Sequence, residues 1–493
     1  MSKKTRQLIL ILIVLVVIGG GTALLLLLPK GGSGEGDTSS AAASSATEAT
    51  HILEHESADI SSVLVENPEG SYTILPSEDA STFTIEGYDG APLNNDAISA
   101  AARIMATLTA LRDFGETSDL GQYGLENPQT KLTATYKDGT KQTLLIGDLL
   151  PGASANYYVM VEGSNQVFSA SISAGAFVNS LDYVNTEILN ELATDSSGNQ
   201  ETADFGSIVF SGTNYPEPIT IKTNTSTDIA DPLNLANYLI TEPERLGLND
   251  NFVNDTLPYL SSLTADEAVC VNPTQEDLEK YGLADPKAVA SYTMNDKEYK
   301  LMVGNTDENG TYLMKDGVNV IYLVKDESMV AWANQTLFTL RSNLIYLINI
   351  EVVSKLTVKT PDGEYVFERS RTLNEEKTSS LGKDTYDFTT TYNGTELETD
   401  NFGHYYQTII GLLKESPVED GTVTSNEPDV RVEFEYFPDY NKENTVIELY
   451  PASDRRYLYR LDGEDIVLVK SSLVERLIDS TQKIINGEEV VVN

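Results

Sequence analysis

Few residues in this chain of 493 have the types and spacing that chemistry at a site requires; it holds three histidines and one cysteine. His51 and His55 stand four apart, a spacing that on a helix would let Glu54 or Glu56 complete a weak metal site. They lie where a Gly/Ser/Ala-rich stretch meets the rest of the chain, so two solvated side chains is the stronger reading. His404, in His-Tyr-Tyr-Gln on a helical pattern, reads as a residue packed at a surface edge. Cys270 stands in an apolar, strand-like context and reads as a buried, inert thiol. Ser-x-x-Lys occurs at Ser380/Lys383 in a polar loop and at Ser480/Lys483 on the terminal amphipathic stretch, in both cases without supporting partners. The acidic loop Asn305–Gly310 lacks the spaced ligand series and terminal Glu of a dedicated calcium site, and reads as a hairpin connection. No G-x-S-x-G elbow or G-x-x-x-x-G-K phosphate loop is present. The sequence therefore nominates no catalytic, cofactor-binding or metal-ligating residue, and the expectation is a protein that is not an enzyme.

The charge balance narrows the partners. Lys and Arg number 33 against 75 Asp and Glu, a net charge of −42. Nucleic-acid binding needs a basic surface to displace counterions from phosphate, so it is excluded as an expectation. Close association with anionic lipid or wall polymers is disfavoured in the same way, because like-charge fields repel within a Debye length of roughly 8 Å. A single cysteine permits no disulfide within the chain.

The N-terminus carries the clearest positional signal. Residues 8–28 contain no charge and consist almost wholly of Leu, Ile and Val around Gly19-Gly20-Gly21. At ~1.5 Å per residue, a helix of this length spans the ~30 Å hydrocarbon core of a bilayer. Lys3, Lys4 and Arg6 precede it and Lys30 alone follows closely, which places the N-terminus in the cytoplasm and the body outside. The run is too long for a cleaved signal peptide and ends in Leu28-Pro29-Lys30, so an uncleaved single-pass anchor over residues 1–30 is expected. Residues 31–50 are Gly, Ser, Ala and Thr with scattered acids, a flexible tether reaching on the order of 25 Å.

The body repeats. Tyr123-Gly124-Leu125-Glu126-Asn127-Pro128 recurs as Tyr281-Gly282-Leu283-Ala284-Asp285-Pro286. Each copy precedes two alternating strands around a tight turn, 134–148 and 291–305, ending in an aliphatic residue and Gly. A second hairpin follows at 157–171 and 311–325, and a diverged third copy of the meander runs over 427–470. Upstream, 58–74, 205–221 and 352–368 each give strand, polar turn, strand. Helical patterns follow at 95–112, 249–263 and 400–415, and amphipathic stretches close the units at 171–189, 326–347 and 471–486. The expected architecture is α+β: three tandem units, 51–190, 191–347 and 348–493, each of antiparallel hairpins and meander with two helices. The residue before proline avoids the α region and Gly permits positive φ, so the Tyr-Gly-Leu element reads as a stop and redirection from helix into sheet.

With these residues the chain resembles the bacterial family called domain of unknown function 4340. The resemblance rests on Tyr123–Pro128 with Ile146-Gly147-Asp148, and on Tyr281–Pro286 with Val303-Gly304-Asn305. It covers about 60–345; the third unit lacks the Tyr-Gly-Leu element. The resemblance implies a membrane-anchored protein associated with an export-type ABC permease, in an accessory role outside the cytoplasm, and brings no catalytic residues. The leading expectation is a non-catalytic accessory or scaffold subunit of a membrane complex, held in the bilayer through residues 8–28. A surface module binding glycan or peptide is the alternative, signalled by exposed aromatics in register across the units. An envelope hydrolase, which needs a cleft with convergent carboxylates, stands third.

Overall fold

The computed structural model describes residues 50–78, 81–190, 203–381, 384–422, 424–453 and 455–491. The expected anchor at 8–28 and the tether as far as residue 49 lie outside the described residues. Among the described residues no helix is long and apolar enough to cross a membrane.

From His51 onward the described residues form three large antiparallel sheets built to one plan. The first sheet runs Phe83–Ile85, Gly70–Pro76, Ile60–Asn67, Thr130–Tyr136, Lys141–Leu149, Asn156–Val161, Gln166–Ser171 and Arg112–Glu116. The second runs Leu246–Gly247, Tyr238–Glu242, Tyr215–Thr223, Phe205–Gly212, Ala288–Met294, Lys297–Asp307, Gly310–Lys315, Val320–Val324 and Glu267–Val271. The third runs Thr395–Glu396, Tyr386–Tyr392, Gly363–Leu373, Val353–Thr360, Val430–Tyr436, Thr445–Ser453, Arg456–Leu461, Glu464–Lys470 and Lys414–Ser416. In each, an upstream hairpin half joins a four-strand meander, and a strand downstream of the helix returns to pair with the far edge. The third sheet keeps this order although its sequence lacks the Tyr-Gly-Leu element.

Alternation explains the strands. Thr130–Tyr136 buries Leu132, Ala134 and Tyr136 and leaves the residues between them less covered. Ala288–Met294 does the same, and its turn, Asn295-Asp296, has φ of 49° and 60°, the left-handed pair of a tight hairpin. One face of each sheet carries the main core: Ile60, Val63 and Ile146 in the first, Phe210 and Trp332 in the second, Phe367, Phe402 and Phe434 in the third. Each such apolar side chain contributes roughly 1.5–3 kcal/mol relative to exposure. The opposite face of each meander holds a smaller cluster, around Met160, Tyr312 and Leu458 respectively.

The structure corrects the expectation of two helices in every unit. Among the described residues only the third has two long ones, Thr399–Ile410 and Ser471–Ile485, which pack against each other. The 95–112 pattern is a helix only over Asn95–Arg103; Thr107–Thr109 is a strand paired with His51–Glu54, and Leu111 is 59 % exposed. The β-branched Thr107 and Thr109 favour that ladder over a continued helix. The 249–263 pattern breaks into helix Asp250–Asp255, a 3₁₀ turn Leu257–Leu260 and strand Ser262–Thr264. Pro258 disfavours the α region at Leu257 and supplies no N–H for an α-helical bond. The closing stretches of the first two units are 3₁₀ turns at Ala174–Phe177, Ser180–Tyr183 and Glu327–Asn334, with one short helix, Leu337–Leu340.

Candidate functional site

The repeated motif is a clamp between a loop and a sheet. Short helical elements, Gly121–Tyr123 and Gln275–Lys280, deliver the chain to Gly124 (φ 68°) and Gly282 (φ 72°). Leu125 and Leu283 then join the outer-face clusters. Beneath them lies the aliphatic-Gly end of the motif. A Cβ on Gly147 or Gly304 would fall well inside 3.0 Å of the Tyr123 or Tyr281 carbonyl oxygen, and one on Gly124 or Gly282 would strike Asp148 or Asn305. In the second copy the Asn305 N–H donates to the Tyr281 carbonyl at 2.8 Å, and its Nδ2 donates to the Lys280 carbonyl at 3.2 Å. The ladder slips at both places, between Ile146 and Leu149 and between Val303 and Thr306, so each glycine sits at a bulge. Tyr123 packs on Tyr158 and Tyr281 on Tyr312, with ring centroids 4.9 and 4.6 Å apart. These tyrosines are in register across two units, but they are used in packing.

The residues that the sequence put forward as chemical candidates are dispersed. His51 lies on a strand, which removes the helical geometry of the His51/His55 pair. His55 stacks on Tyr136 at 3.9 Å and shares a 3.0 Å hydrogen bond with Gln142 Oε1. The Asn305–Gly310 loop is a hairpin connection whose Asp307 accepts from the Asn309 N–H and the Tyr312 hydroxyl. Cys270 is half-buried beside Leu278 and Tyr281, and burial, with Asp277 acting in the same direction, raises its thiol above the ordinary range. Ser480 is buried on the terminal helix while Lys483 pairs outward with Asp479; Lys383 lies outside the described residues. Among the described residues no group of three His, Cys, Asp or Glu is placed to hold a metal ion.

His404 is the exception, because it borders a cleft of about 620 Å³ in the third unit. The strands Gly363–Leu373 and Tyr386–Tyr392 run past the main core, and helix Thr399–Ile410 covers one side of their extension. Cross-strand pairing of Arg369 with Thr390 and of Arg371 with Phe388 puts these side chains on the face that also carries Tyr365 and Phe367. Arg369 is 9 % exposed. Its Nη1 donates to the carbonyls of Ile350 and Val353, its Nε to Thr390 Oγ1 at 3.2 Å, and its guanidinium lies 4.8 Å from the Phe388 ring centre. Burial pushes it down to about 10, against the opposing pull of Tyr406 and Glu351. Sequence reasoning passed over Arg369, yet the alternation of Tyr365, Phe367, Arg369 and Arg371 already placed a cation on the buried face.

The family model described as Domain of unknown function (DUF4340) matches residues 83–234 and again 239–409. The chain belongs to this family. Each match holds one copy of the Tyr-Gly-Leu clamp, its meander, and the upstream hairpin of the next sheet. The DUF4340 segment is thus offset from the sheet: it opens near a hairpin-edge strand, Phe83–Ile85 or Tyr238–Glu242, and ends in the following unit. Comparisons with curated proteins and with solved structures returned no match.

A second, half-buried cation lies where the two DUF4340 matches' sheets give way to the third. Lys414 donates from Nζ to the carbonyls of Phe338 and Arg341, holding the end of helix Leu337–Leu340, and sits 4.7 Å from the Phe338 ring centre. Burial, with Arg341 beside it, pushes the ammonium down to about 8. It lines a hollow of about 380 Å³ together with Asn249, Phe252 and Asp255. The backbone carbonyls that Lys414 holds make helix capping its evident role.

Proposed function

We propose that this protein is a membrane-tethered, non-catalytic accessory or scaffold subunit whose body stands outside the cytoplasm and supports an ABC-type permease. The observation that carries this reading is the clamp: in both copies the residues that define the motif are consumed in fixing a loop to a bulged sheet. A motif made of packing glycines, tyrosines and leucines specifies a shape repeated along the chain, which suits holding partners. The charge-free run 8–28, the basic residues before it and the tether after it support the location. The three units of hairpin, helix and meander supply an acidic, folded body for that role.

The test is affinity capture of the full chain, tagged at its C-terminus, from native membranes in mild detergent. A permease among the specific partners is the expected result, and its absence from repeated captures overturns the reading. External protease should digest the body in spheroplasts or intact protoplasts; full protection would overturn the proposed orientation.

A further inference from the structure

The cleft of the third unit has the composition of a ligand site. Arg369, Tyr386 and Phe388 line it from the strands, and Gly403, His404 and Gln407 line it from the helix. The fixed side is rigid: Arg369 is held by Thr390, Ile350 and Val353, while its Nη2 makes no hydrogen bond among the described residues. Tyr386 and Phe388 stand as a tilted pair with ring centres 6.5 Å apart. Opposite them, Gly403 occupies the interior of helix Thr399–Ile410, where glycine weakens a helix relative to alanine. A Cβ there would meet nothing within 4 Å, so the glycine keeps open space rather than permitting close packing.

Charge selects among ligand classes. Glu351 and Asp400 line the cleft and can only accept hydrogen bonds, and the whole chain carries −42, so an anion is repelled. The same carboxylates attract a cation, but a simple cation, like an apolar ligand, offers no acceptor to Arg369 Nη2 and leaves that donor covered and unpaired. Asp387, at the rim, is already held by Lys377 at 2.9 Å and Asn374 at 2.8 Å. A neutral ring bearing hydroxyls meets every demand. Its hydroxyls donate to Glu351 and Asp400 and accept from Arg369 and Gln407, while its C–H face lies on the aromatic pair.

We propose that this cleft binds a neutral polyhydroxylated ligand, a short oligosaccharide. The inference concerns the third unit alone and does not depend on the accessory role above. The three histidines provide a built-in reporter, because His404 borders the cleft whereas His51 and His55 belong to the first unit. The experiment is a titration of the ε1-¹³C-histidine-labelled full chain in lipid nanodiscs, with His404→Gln assigning the signal. The probes are cellotetraose, maltotetraose and tetra-N-acetylchitotetraose, with tetragalacturonate and glutamine as anionic and zwitterionic comparisons.

At about 10 mM, above the dissociation constant of ~1 mM that marks a weak site, at least one neutral probe should shift His404 and spare His51 and His55. Gly403→Leu fills the cleft while improving helix propensity, and should weaken binding at least about tenfold. Thr390→Ala should weaken it less. Silence of His404 with all three neutral probes overturns the proposal. So does a response only to tetragalacturonate or glutamine, or unchanged binding in a folded Gly403→Leu protein.

Discussion

Gly147 lies directly beneath the carbonyl oxygen of Tyr123, and Gly304 repeats the relationship beneath Tyr281. The obstacle in both cases is backbone, which cannot swing aside as a side chain can. Gly147→Ala or Gly304→Ala is therefore expected to cost about 2–3 kcal/mol by overpacking, read from urea unfolding. Gly403→Ala, where the added methyl meets open space, should be neutral or gain about 0.5–1 kcal/mol. Equal losses at the three positions would refute the clamp.

Arg371 should tolerate lysine poorly. Its guanidinium lies 4.3 Å from the ring centres of both Tyr386 and Phe437 and 5.6 Å from that of Tyr440, and it pairs with Asp439. Nη1 is buried without a hydrogen-bond partner among the described residues, so stacking is what holds that side of the group. Lysine keeps the charge but loses the planar stack, and Arg371→Lys should lower stability by about 1–2 kcal/mol. A thermal midpoint equal to that of the wild type would show that the rings contribute nothing.

Lys414 gives a pH dependence of defined sign. Its folded value, about 8, lies below its ordinary 10.5, so between those values the unfolded chain holds more protons. Stability from this group is lowest below pH 8 and rises as pH climbs through the window. The ammonium is only half-buried, so solvent screening reduces the effect to about 1 kcal/mol. The stability difference between wild type and Lys414→Met should move by that amount in favour of the wild type between about pH 7.5 and 9.5. A flat difference would contradict the burial.

Cys270 should react slowly with iodoacetamide at neutral pH. Burial and Asp277 both disfavour its thiolate, the reactive species. Labelling of the urea-unfolded chain is expected to be faster by on the order of tenfold. Comparable rates in the two states would exclude a protected thiol.

Much of the meander was legible because its signals are local. The alternation in Thr130–Tyr136 and Ala288–Met294, and the turn at Asn295-Asp296, depend on residues within a few positions of one another. The Tyr-Gly-Leu copies were legible as a redirection from helix into sheet for the same reason. Helix lengths were less so: Ile104, Met105 and Leu108 keep helical spacing, yet Thr107–Thr109 pairs with His51–Glu54, about fifty residues earlier. Of the cleft, alternation places Arg369 on the buried face and the helical pattern places His404 at a surface edge, and nothing local brings the two together.

The sequence by itself determined the charge-free run at 8–28, the acidic balance, the three-fold repetition and the antiparallel hairpins. Period, turn chemistry and composition act over short stretches of chain, so those features need no partner from afar. Tertiary structure alone decided that Gly147 lies under Tyr123, that Arg112–Glu116 closes the far edge of its sheet, and that a cleft forms between strands Gly363–Leu373 and Tyr386–Tyr392 and helix Thr399–Ile410 beside Gly403. Those outcomes depend on which distant surfaces meet and how closely two backbones can approach, and linear spacing carries neither quantity.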